Sequence, residues 1–202
     1  MHALIVFSHP VPGSFTHTVA ARIAEGITQA NPADSAEIAD LAAEGFDPRF
    51  NEADVAAFLR EKPFPADVAR EQARIDRADA LVLVYPVYWW SMPGQLKGWI
   101  DRVFGNGWAY DDTPETGIVK RLQRLAVHLV AVGGADAGLY TRHGYFDAMR
   151  TQIDHGIFDY CGAPVMTSEF LIPSDPSHAE AHLETAHRLG RGVFGAVRSD
   201  AA

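Results

Sequence analysis

The sequence predicts an α/β fold: a doubly wound parallel sheet of five strands in the order 2-1-3-4-5, with helices on both faces. Two observations support this prediction. Short apolar segments alternate along the chain with longer segments of helical periodicity, as expected of parallel strands joined by crossover helices. The most apolar segment, Leu81 to Tyr85, is too short for a core helix and rich in Val, which indicates a strand covered on both faces.

The other strands follow from the same pattern of short apolar segments bounded by turn residues or polar residues. In chain order, the predicted strands are Ala3–Phe7, Ser35–Leu41, Leu81–Tyr85, Arg124–Val132 and Val165–Ile172. With this number of strands, right-handed crossover connections favour a flavodoxin-like sheet over a closed barrel.

The predicted helices lie between these strands, and apolar residues spaced three or four apart mark them. They are Thr16–Ala30, a short helix near Asp54–Arg60, Ala66–Arg77, a helix from about Pro93 to Phe104, and a terminal helix. The helix after Pro93 carries Leu96, Trp99 and Val103 on one face. The terminal helix begins with a capping-box pattern, Ser177 to Glu180.

The composition limits the classes of function that this chain can serve. Its 202 residues are 48% hydrophobic, enough for a full core, and we expect a single domain over residues 1–202. The 17 basic and 26 acidic residues give a net charge of −9, which opposes nucleic-acid binding. A single cysteine, Cys161, fits a reducing compartment, and no apolar run is long enough to span a membrane. We therefore expect a cytoplasmic protein without membrane insertion or nucleic-acid partners.

Three loops follow predicted strands and should meet at one edge of the sheet, where open α/β folds bind their ligands. Ser8–Thr16 combines hydroxyls with a helix N-terminus, which suits a phosphate, although the same residue types cap ordinary helices. Pro86–Ser91 contains Trp89 and Trp90, which suit either a flat heteroaromatic ring or packing against a neighbour. Gly133–Tyr140 has glycines that let a ring approach the backbone closely.

Two other motifs are not expected to bind ligands. Gly190 to Gly195 fits the pattern G-x-G-x-x-G, but it lies inside the terminal helix with no strand before it, so it lacks the context of a dinucleotide site. The histidines of the same helix lack the spacing of metal ligands, and no metal site is expected.

Several segments together resemble the NAD(P)H:quinone oxidoreductase family. They are V-F-S-H-P-V-P-G-S-F-T from Val6, Y-P-V-Y-W-W-S-M-P-G-Q-L-K-G-W-I-D-R-V-F from Tyr85, G-W-A-Y from Gly107, and the Gly133-Gly134 turn. The resemblance covers roughly Met1 to Met166, and its middle segment is the most specific.

The resemblance implies a flavin and assigns residues to it. His9, Ser14, Phe15, Thr16 and Thr18 fall on positions that hold the phosphates and ribityl chain. Pro86, Val87, Tyr88, Trp89 and Trp90 fall on the segment that holds the isoalloxazine, and Gly133 and Gly134 on the turn beneath its pyrimidine side. It also implies a homodimer, NAD(P)H as co-substrate, and a flavin for which FAD is favoured and FMN is the alternative.

The implied reaction is two-electron hydride transfer from NAD(P)H through flavin N5 to a quinone or similar flat acceptor. Tyr140 falls on the tyrosine of the family's Tyr-His pair, where a donor would meet the negative charge that develops on the flavin. The family's histidine position is Phe146 here, whereas His143 stands three residues after Tyr140. His143 or Arg142 is the candidate partner of Tyr140, and for His143 a solvated loop histidine is the alternative.

Two other functions are compatible with the sequence. Flavoproteins that resemble this family also serve as ancillary subunits of glutathione-gated potassium-efflux systems, and they share the His-Pro loop and the aromatic turn. A one-electron carrier of the flavodoxin type would suit the acidic charge, but the aromatic turn predicts a roomier substrate slot than a carrier needs.

Overall fold

The computed structural model describes residues 1–115, 117–173 and 178–195. Within them, the strands are β1 (His2–Phe7), β2 (Ser35–Asp40), β3 (Ala80–Pro86), β4 (Tyr110–Thr113), β5 (Gly117–Lys120), β6 (Ala126–Val132) and β7 (Val165–Leu171). The helices are α1 (Phe15–Ala30), α2 (Glu52–Phe58), α3 (Ala66–Asp76), α4 (Gly94–Val103), α5 (Ala137–His143), α6 (Tyr145–Met149) and α7 (His178–Gly192), and a π-helical segment covers Arg150–Asp159.

Five strands form one parallel sheet in the order β2-β1-β3-β6-β7. If only the strands of this sheet are counted along the chain, the order is 2-1-3-4-5, so the predicted flavodoxin-like order is confirmed. The order reverses between β1 and β3, because the chain first winds outward to β2 and then returns to the other side of β1. The sheet therefore has a switch point where the carboxyl ends of β1 and β3 lie side by side.

Successive residues of the strands point to opposite faces of the sheet and pack into two separate hydrophobic cores, one on each face. On one face, Ile5 and Val82 pack with α1 and α7. On the other, Leu4 and Leu81 pack with α3, α4, Trp99 and the π-helical segment. The predicted placement of helices on both faces is thus confirmed, and the central strand β3 is buried throughout.

Helices α1 and α7 approach each other through two glycines. A Cβ atom on Gly26 would lie 2.2 Å from the carbonyl oxygen of His187, and one on Gly190 would lie 2.1 Å from that of Ile23. No side chain fits at either distance, so the first glycine of the G-x-G-x-x-G pattern serves helix packing. Ser177, the first residue of the capping box predicted for α7, lies outside the described residues.

Two regions have structure that the periodicity did not predict. Strands β4 and β5 form an antiparallel hairpin, and every residue of β5 is exposed, so the hairpin has no buried face to produce an alternating pattern. Between β6 and β7, Ile153 and Phe158 are buried five residues apart in the π-helical segment. That spacing does not match the 3.6-residue period by which an α-helix is recognised. In the part of the chain that is described, no helix is long and apolar enough to cross a membrane.

Candidate functional site

The three predicted loops lie at the carboxyl edge of the sheet, where hydrogen bonds join them to neighbouring elements. The N–H of Val87 donates to the carbonyl oxygen of Val132 at 2.9 Å, which joins the loop after β3 to the end of β6. The hydroxyl of Ser8 donates to Gln95 Oε1 at 2.7 Å, and Gln95 Nε2 donates to the carbonyl oxygen of Leu41 at 3.0 Å. Sequence reasoning missed Gln95, which connects the ends of β1 and β2 to α4.

The first loop places Ser14 at the N-cap of α1. Its side chain makes no capping hydrogen bond to the helix backbone, so the first N–H groups of α1 are not satisfied by their usual partner. Gly13 has a φ of 71°, and a Cβ there would meet nothing within 4 Å. Thr16 is buried, while Phe15 packs partly against the α1–α7 core. The loop thus presents an open, uncapped helix N-terminus.

The hydroxyl of Ser14 is instead engaged by His17, a residue that the sequence did not single out. Ser14 Oγ lies 2.8 Å from His17 Nδ1, and His17 Nε2 lies 3.1 Å from Asp40 Oδ2 at the end of β2. The ring of His9 stands edge-on to His17 at 6.2 Å, and its Nδ1 accepts from the N–H of Val11 at 3.1 Å. His9 therefore shapes its own loop. Thr18 lies one turn further along, where its N–H donates to the carbonyl oxygen of Ser14 at 3.2 Å.

The second loop is a tight turn with strained backbone. Tyr88 and Ser91 exchange two backbone hydrogen bonds, of 3.0 and 3.1 Å. The two residues between them, Trp89 and Trp90, have φ angles of 49° and 59°, a left-handed conformation that side chains other than glycine rarely adopt. Such strain concentrates at ligand sites. Pro86, the last residue of β3, is buried beneath the turn.

The two tryptophans have different surroundings. Trp89 is 93% exposed, and Tyr88 beside it is 44% exposed. Trp90 stacks on Tyr145 with ring centroids 3.7 Å apart and an interplanar angle of 10°, and it meets Tyr140 edge-on at 5.2 Å. One face of Trp90 is therefore covered by this chain. Tyr145, which the sequence did not single out, is the covering residue.

The third loop is fitted around Tyr140. A Cβ atom on Gly133 would lie 2.8 Å from the Tyr140 hydroxyl oxygen and 2.6 Å from Ile172 Cδ1, whereas one on Gly134 would meet nothing within 4 Å. A cavity of about 170 Å³ joins this loop to the second, lined by Val87, Trp89, Trp90, Gly134, Ala135 and Tyr140. The structure thus brings residues of two predicted loops to one concave site.

Tyr140 lies in α5 rather than in a loop, and its ring is buried. Burial raises the pKa of Tyr140, so its hydroxyl keeps its proton at neutral pH and can donate it in a hydrogen bond. Phe146 stacks on the Tyr140 ring at 4.9 Å. His143 is exposed and stacks on Tyr145 at 5.3 Å, so the ring between His143 and the site is Tyr145.

A larger cavity, of about 400 Å³, lies away from the three loops among Phe50, Phe58, Phe64, Tyr110 and Tyr160. Arg102, a basic side chain in its wall, is already neutralised by hydrogen bonds to Asp54 Oδ2 at 2.9 Å and Asp67 Oδ2 at 2.6 Å. The loops at the sheet edge combine a helix N-terminus, strained backbone and a buried phenol, so they are the stronger candidate.

Known proteins are similar to this chain over most of its length. It is 27% identical to the ribosyldihydronicotinamide dehydrogenase (quinone) of Rattus norvegicus over 198 residues, which cover 88% of this chain and 84% of the rat protein. The structure of an NAD(P)H:quinone oxidoreductase from Methanothermobacter marburgensis superposes with a TM-score of 0.85 at 31% identity. That match covers 95% of this chain and 98% of the other.

A third similarity is local. The glutathione-regulated potassium-efflux system ancillary protein KefF of an Enterobacter species is 53% identical over 47 residues, which cover 23% of this chain and 27% of that protein. The family described as having a flavodoxin-like fold matches residues 1–190. The chain belongs to this family.

Proposed function

We propose that this protein is a flavin-dependent NAD(P)H:quinone oxidoreductase. The observation that carries the proposal is the meeting of three features at one sheet edge: an uncapped helix N-terminus, a strained aromatic turn and an open glycine loop. The names of the rat and archaeal relatives support the same activity, because both act as dehydrogenases or oxidoreductases with a quinone.

The residues present fit a flavin. The N–H groups at the start of α1, together with the hydroxyls of Ser14, Thr16 and Thr18, would hold the phosphate and ribityl chain, and His9 would line the same loop. The open space at Gly134 lets a flat ring lie against the backbone, with Gly133 behind it. Pro86, Val87, Tyr88, Trp89 and Trp90 would hold the ring from the second loop.

When bound, the flavin would accept hydride from NAD(P)H and deliver two electrons to the quinone. The residues of the chain would orient the ring and stabilise the negative charge that develops on it. Tyr140 would donate its hydroxyl proton in a hydrogen bond toward the pyrimidine side of the ring, where negative charge develops. His143 would assist from beyond Tyr145, the ring on which it stacks.

We propose FAD as the flavin, which rests on the family resemblance alone, and FMN is the competing cofactor. We also propose a homodimer. Trp89 and Tyr88 are exposed beside the cavity, and a second copy of the chain that covered them would bury apolar surface and close the slot around a quinone. A single flavin-binding domain over residues 1–202 and a cytoplasmic location complete the proposal. Support for this location comes from the single cysteine.

A second function is favoured by one observation. The local identity of 53% with the potassium-efflux ancillary protein KefF fits an oxidoreductase that also binds a membrane transporter. This identity covers only 23% of the chain, whereas the match to the quinone oxidoreductase covers 95%, so a free-standing reductase is the better-supported function.

The proposal is tested with the purified protein. We expect it to be yellow, with close to one flavin per chain, and mass spectrometry of the released flavin distinguishes FAD from FMN. We expect oxidation of NADH or NADPH with menadione and parallel-line kinetics, because both substrates would use one slot in turn. A colourless protein that takes up neither flavin would contradict the proposal. A flavoprotein that does not oxidise NADH or NADPH directly would support the electron carrier.

A further inference from the structure

His17 occupies a position from which it controls one hydroxyl of the proposed phosphate site. Its two ring nitrogens are both engaged: Nδ1 with Ser14 Oγ at 2.8 Å and Nε2 with Asp40 Oδ2 at 3.1 Å. The three residues come from α1, its N-cap and the end of β2. A ring held at both ends cannot turn without breaking a hydrogen bond.

Asp40 determines which nitrogen of His17 always carries a hydrogen. The other carboxylate oxygen, Oδ1, accepts from the backbone N–H groups of Ala42 and Ala43 at 3.1 and 3.2 Å, so the carboxylate is held in place as an acceptor. A carboxylate has only lone pairs to offer, and Nε2 must therefore donate to it. Whether His17 is neutral or charged then depends only on whether Nδ1 carries a proton.

The state of Nδ1 sets the direction of the Ser14 hydroxyl. When His17 is neutral, Nδ1 is an acceptor, and Ser14 must point its O–H inward at the ring. When His17 is protonated, Nδ1 donates to Ser14 Oγ, and the O–H of Ser14 is released toward the N-terminus of α1. A phosphate oxygen at that N-terminus accepts hydrogen bonds only, so it can bond to Ser14 only in the second arrangement.

We propose that His17 is a positioning residue for the cofactor phosphate, and that flavin binding takes up a proton at His17 in order to turn the Ser14 hydroxyl into a donor. This inference rests on the proposed flavin site. It adds a residue outside the resemblance and a proton to the binding reaction. Asp40 stabilises the charged ring from one side, and the phosphate would stabilise it from the other.

Titratable side chains face His17 from two elements. Asp40 faces it from β2, and His9 faces it from the loop, with ring centroids 6.2 Å apart. From β1 the neighbour is Phe7, uncharged, with ring centroids 4.7 Å away. The His17 side chain is 21% exposed, so protons can reach it from solvent. The experiment must therefore distinguish protonation of His17 from protonation of His9.

The experiment measures proton uptake when apoprotein binds FAD, by calorimetry in buffers that differ in ionisation enthalpy. FAD is the probe because its diphosphate does not titrate between pH 5 and 8, and riboflavin, which lacks phosphate, is the matched control. We expect proton uptake with FAD at a pH where the imidazole of the apoprotein is neutral, and none with riboflavin. The Kd for FAD should rise by about tenfold per pH unit where the free imidazole is neutral.

Variants assign the proton. His17→Gln should abolish the uptake and make the FAD affinity independent of pH, whereas His9→Gln should weaken binding but keep the uptake. His155→Gln, a change at an exposed residue of the π-helical segment, is the control for solution effects. Nitrogen-15 NMR of the wild type gives a direct measurement that needs no variant: His17 should be the Nε2–H tautomer in the apoprotein and doubly protonated with FAD.

The outcomes separate this inference from the function on which it rests. Flavin binding without proton uptake, or uptake that persists in His17→Gln and disappears in His9→Gln, would overturn the inference and leave the oxidoreductase proposal intact. An apoprotein that binds no flavin at any pH would overturn both. Equal proton uptake with riboflavin and FAD would also overturn it, since no phosphate would be involved.

Discussion

Tyr140 and Gly133 are fitted to each other: the hydroxyl oxygen of Tyr140 lies 2.8 Å from the position that a Cβ atom on Gly133 would occupy. The tyrosine belongs to α5, and the glycine directly follows β6, so this contact joins the helix to the sheet edge. Gly134, the next residue, faces open space. The two adjacent glycines therefore have different reasons to be glycine.

Alanine substitutions should separate those reasons. Gly133→Ala forces Tyr140 and Ile172 to move, and we expect a loss of about 1 to 3 kcal/mol in the free energy of unfolding. Gly134→Ala should leave that free energy nearly unchanged and weaken flavin binding, because the methyl group would enter the space proposed for the ring. Urea denaturation of the apoproteins and flavin titration measure the two effects. Equal flavin affinity in Gly134→Ala and wild type would exclude close approach at Gly134.

The left-handed conformation of the turn should lower the stability of the fold and support turnover. Trp89 is 93% exposed at a φ of 49°, so Trp89→Gly removes little packing and relieves a left-handed conformation that costs about 1 kcal/mol. We expect the free energy of unfolding to rise by up to about 1 kcal/mol while quinone turnover falls. Thermal unfolding and menadione reduction provide the measurements. A more stable variant with full turnover would show that Trp89 has no part in the site.

Trp90 is the matched position with a packed ring. Trp90→Ala should lower flavin affinity or quinone turnover and still fold, because a residue at the rim of the sheet contributes little to the central core. It should also cost some stability, since the stack on Tyr145 at 3.7 Å is lost. Circular dichroism checks the fold, and turnover is measured per folded molecule. If the folded fraction kept full turnover, the ring would serve packing alone.

The glycines of α7 should behave in opposite ways. Gly190→Ala places a methyl group against the backbone of Ile23, where a Cβ would lie 2.1 Å from the carbonyl oxygen, and we expect a loss of at least about 2 kcal/mol. Gly192→Ala meets nothing within 4 Å and should be neutral or stabilising by up to about 1 kcal/mol, because Ala favours helices. Chemical denaturation decides. Similar effects of both changes would contradict the packing role of Gly190.

His128 should make the stability depend on pH. It is buried in β6, its Nε2 lies 3.1 Å from the Val193 carbonyl oxygen, and burial lowers the pKa of His128 to about 4. The neutral ring is favoured in the folded state, so its contribution is complete above about pH 6.5 and is lost as the pH falls toward 4. We expect His128 to lower the free energy of unfolding of the wild type by up to about 3 kcal/mol as the pH falls, and we expect His128→Gln not to show this decrease. Urea denaturation between pH 7.5 and 4.5 measures it, with His155→Gln as the control.

Tyr140 should affect the hydride step more than nicotinamide binding. We expect Tyr140→Phe to slow flavin reduction by about tenfold, because a donor that meets developing charge is lost and water replaces part of it. His143→Gln should slow it only if the histidine acts through Tyr145. Rapid mixing with NADH or NADPH measures both. An unchanged rate in Tyr140→Phe would remove the tyrosine from the reaction.

Local sequence patterns were sufficient for the five-stranded sheet and for the loops that form the candidate site. Continuous apolar runs such as Leu81–Tyr85 identify buried strands because only strands covered on both faces need them, and right-handed crossovers then leave few possible strand orders. The three loops follow from the strand ends alone, since parallel strands bring their carboxyl ends to one edge.

Only the tertiary structure decided how the site is arranged. His17 lies between Ser14 and Asp40, and the contact with Asp40 spans 23 positions of the chain and depends on the pairing of β1 with β2. The stack of Tyr145 on Trp90 requires that the segment after β6 fold back over the turn after β3. Periodicity reports which face of an element is buried, whereas such contacts depend on where separate elements meet, and no local pattern contains that information.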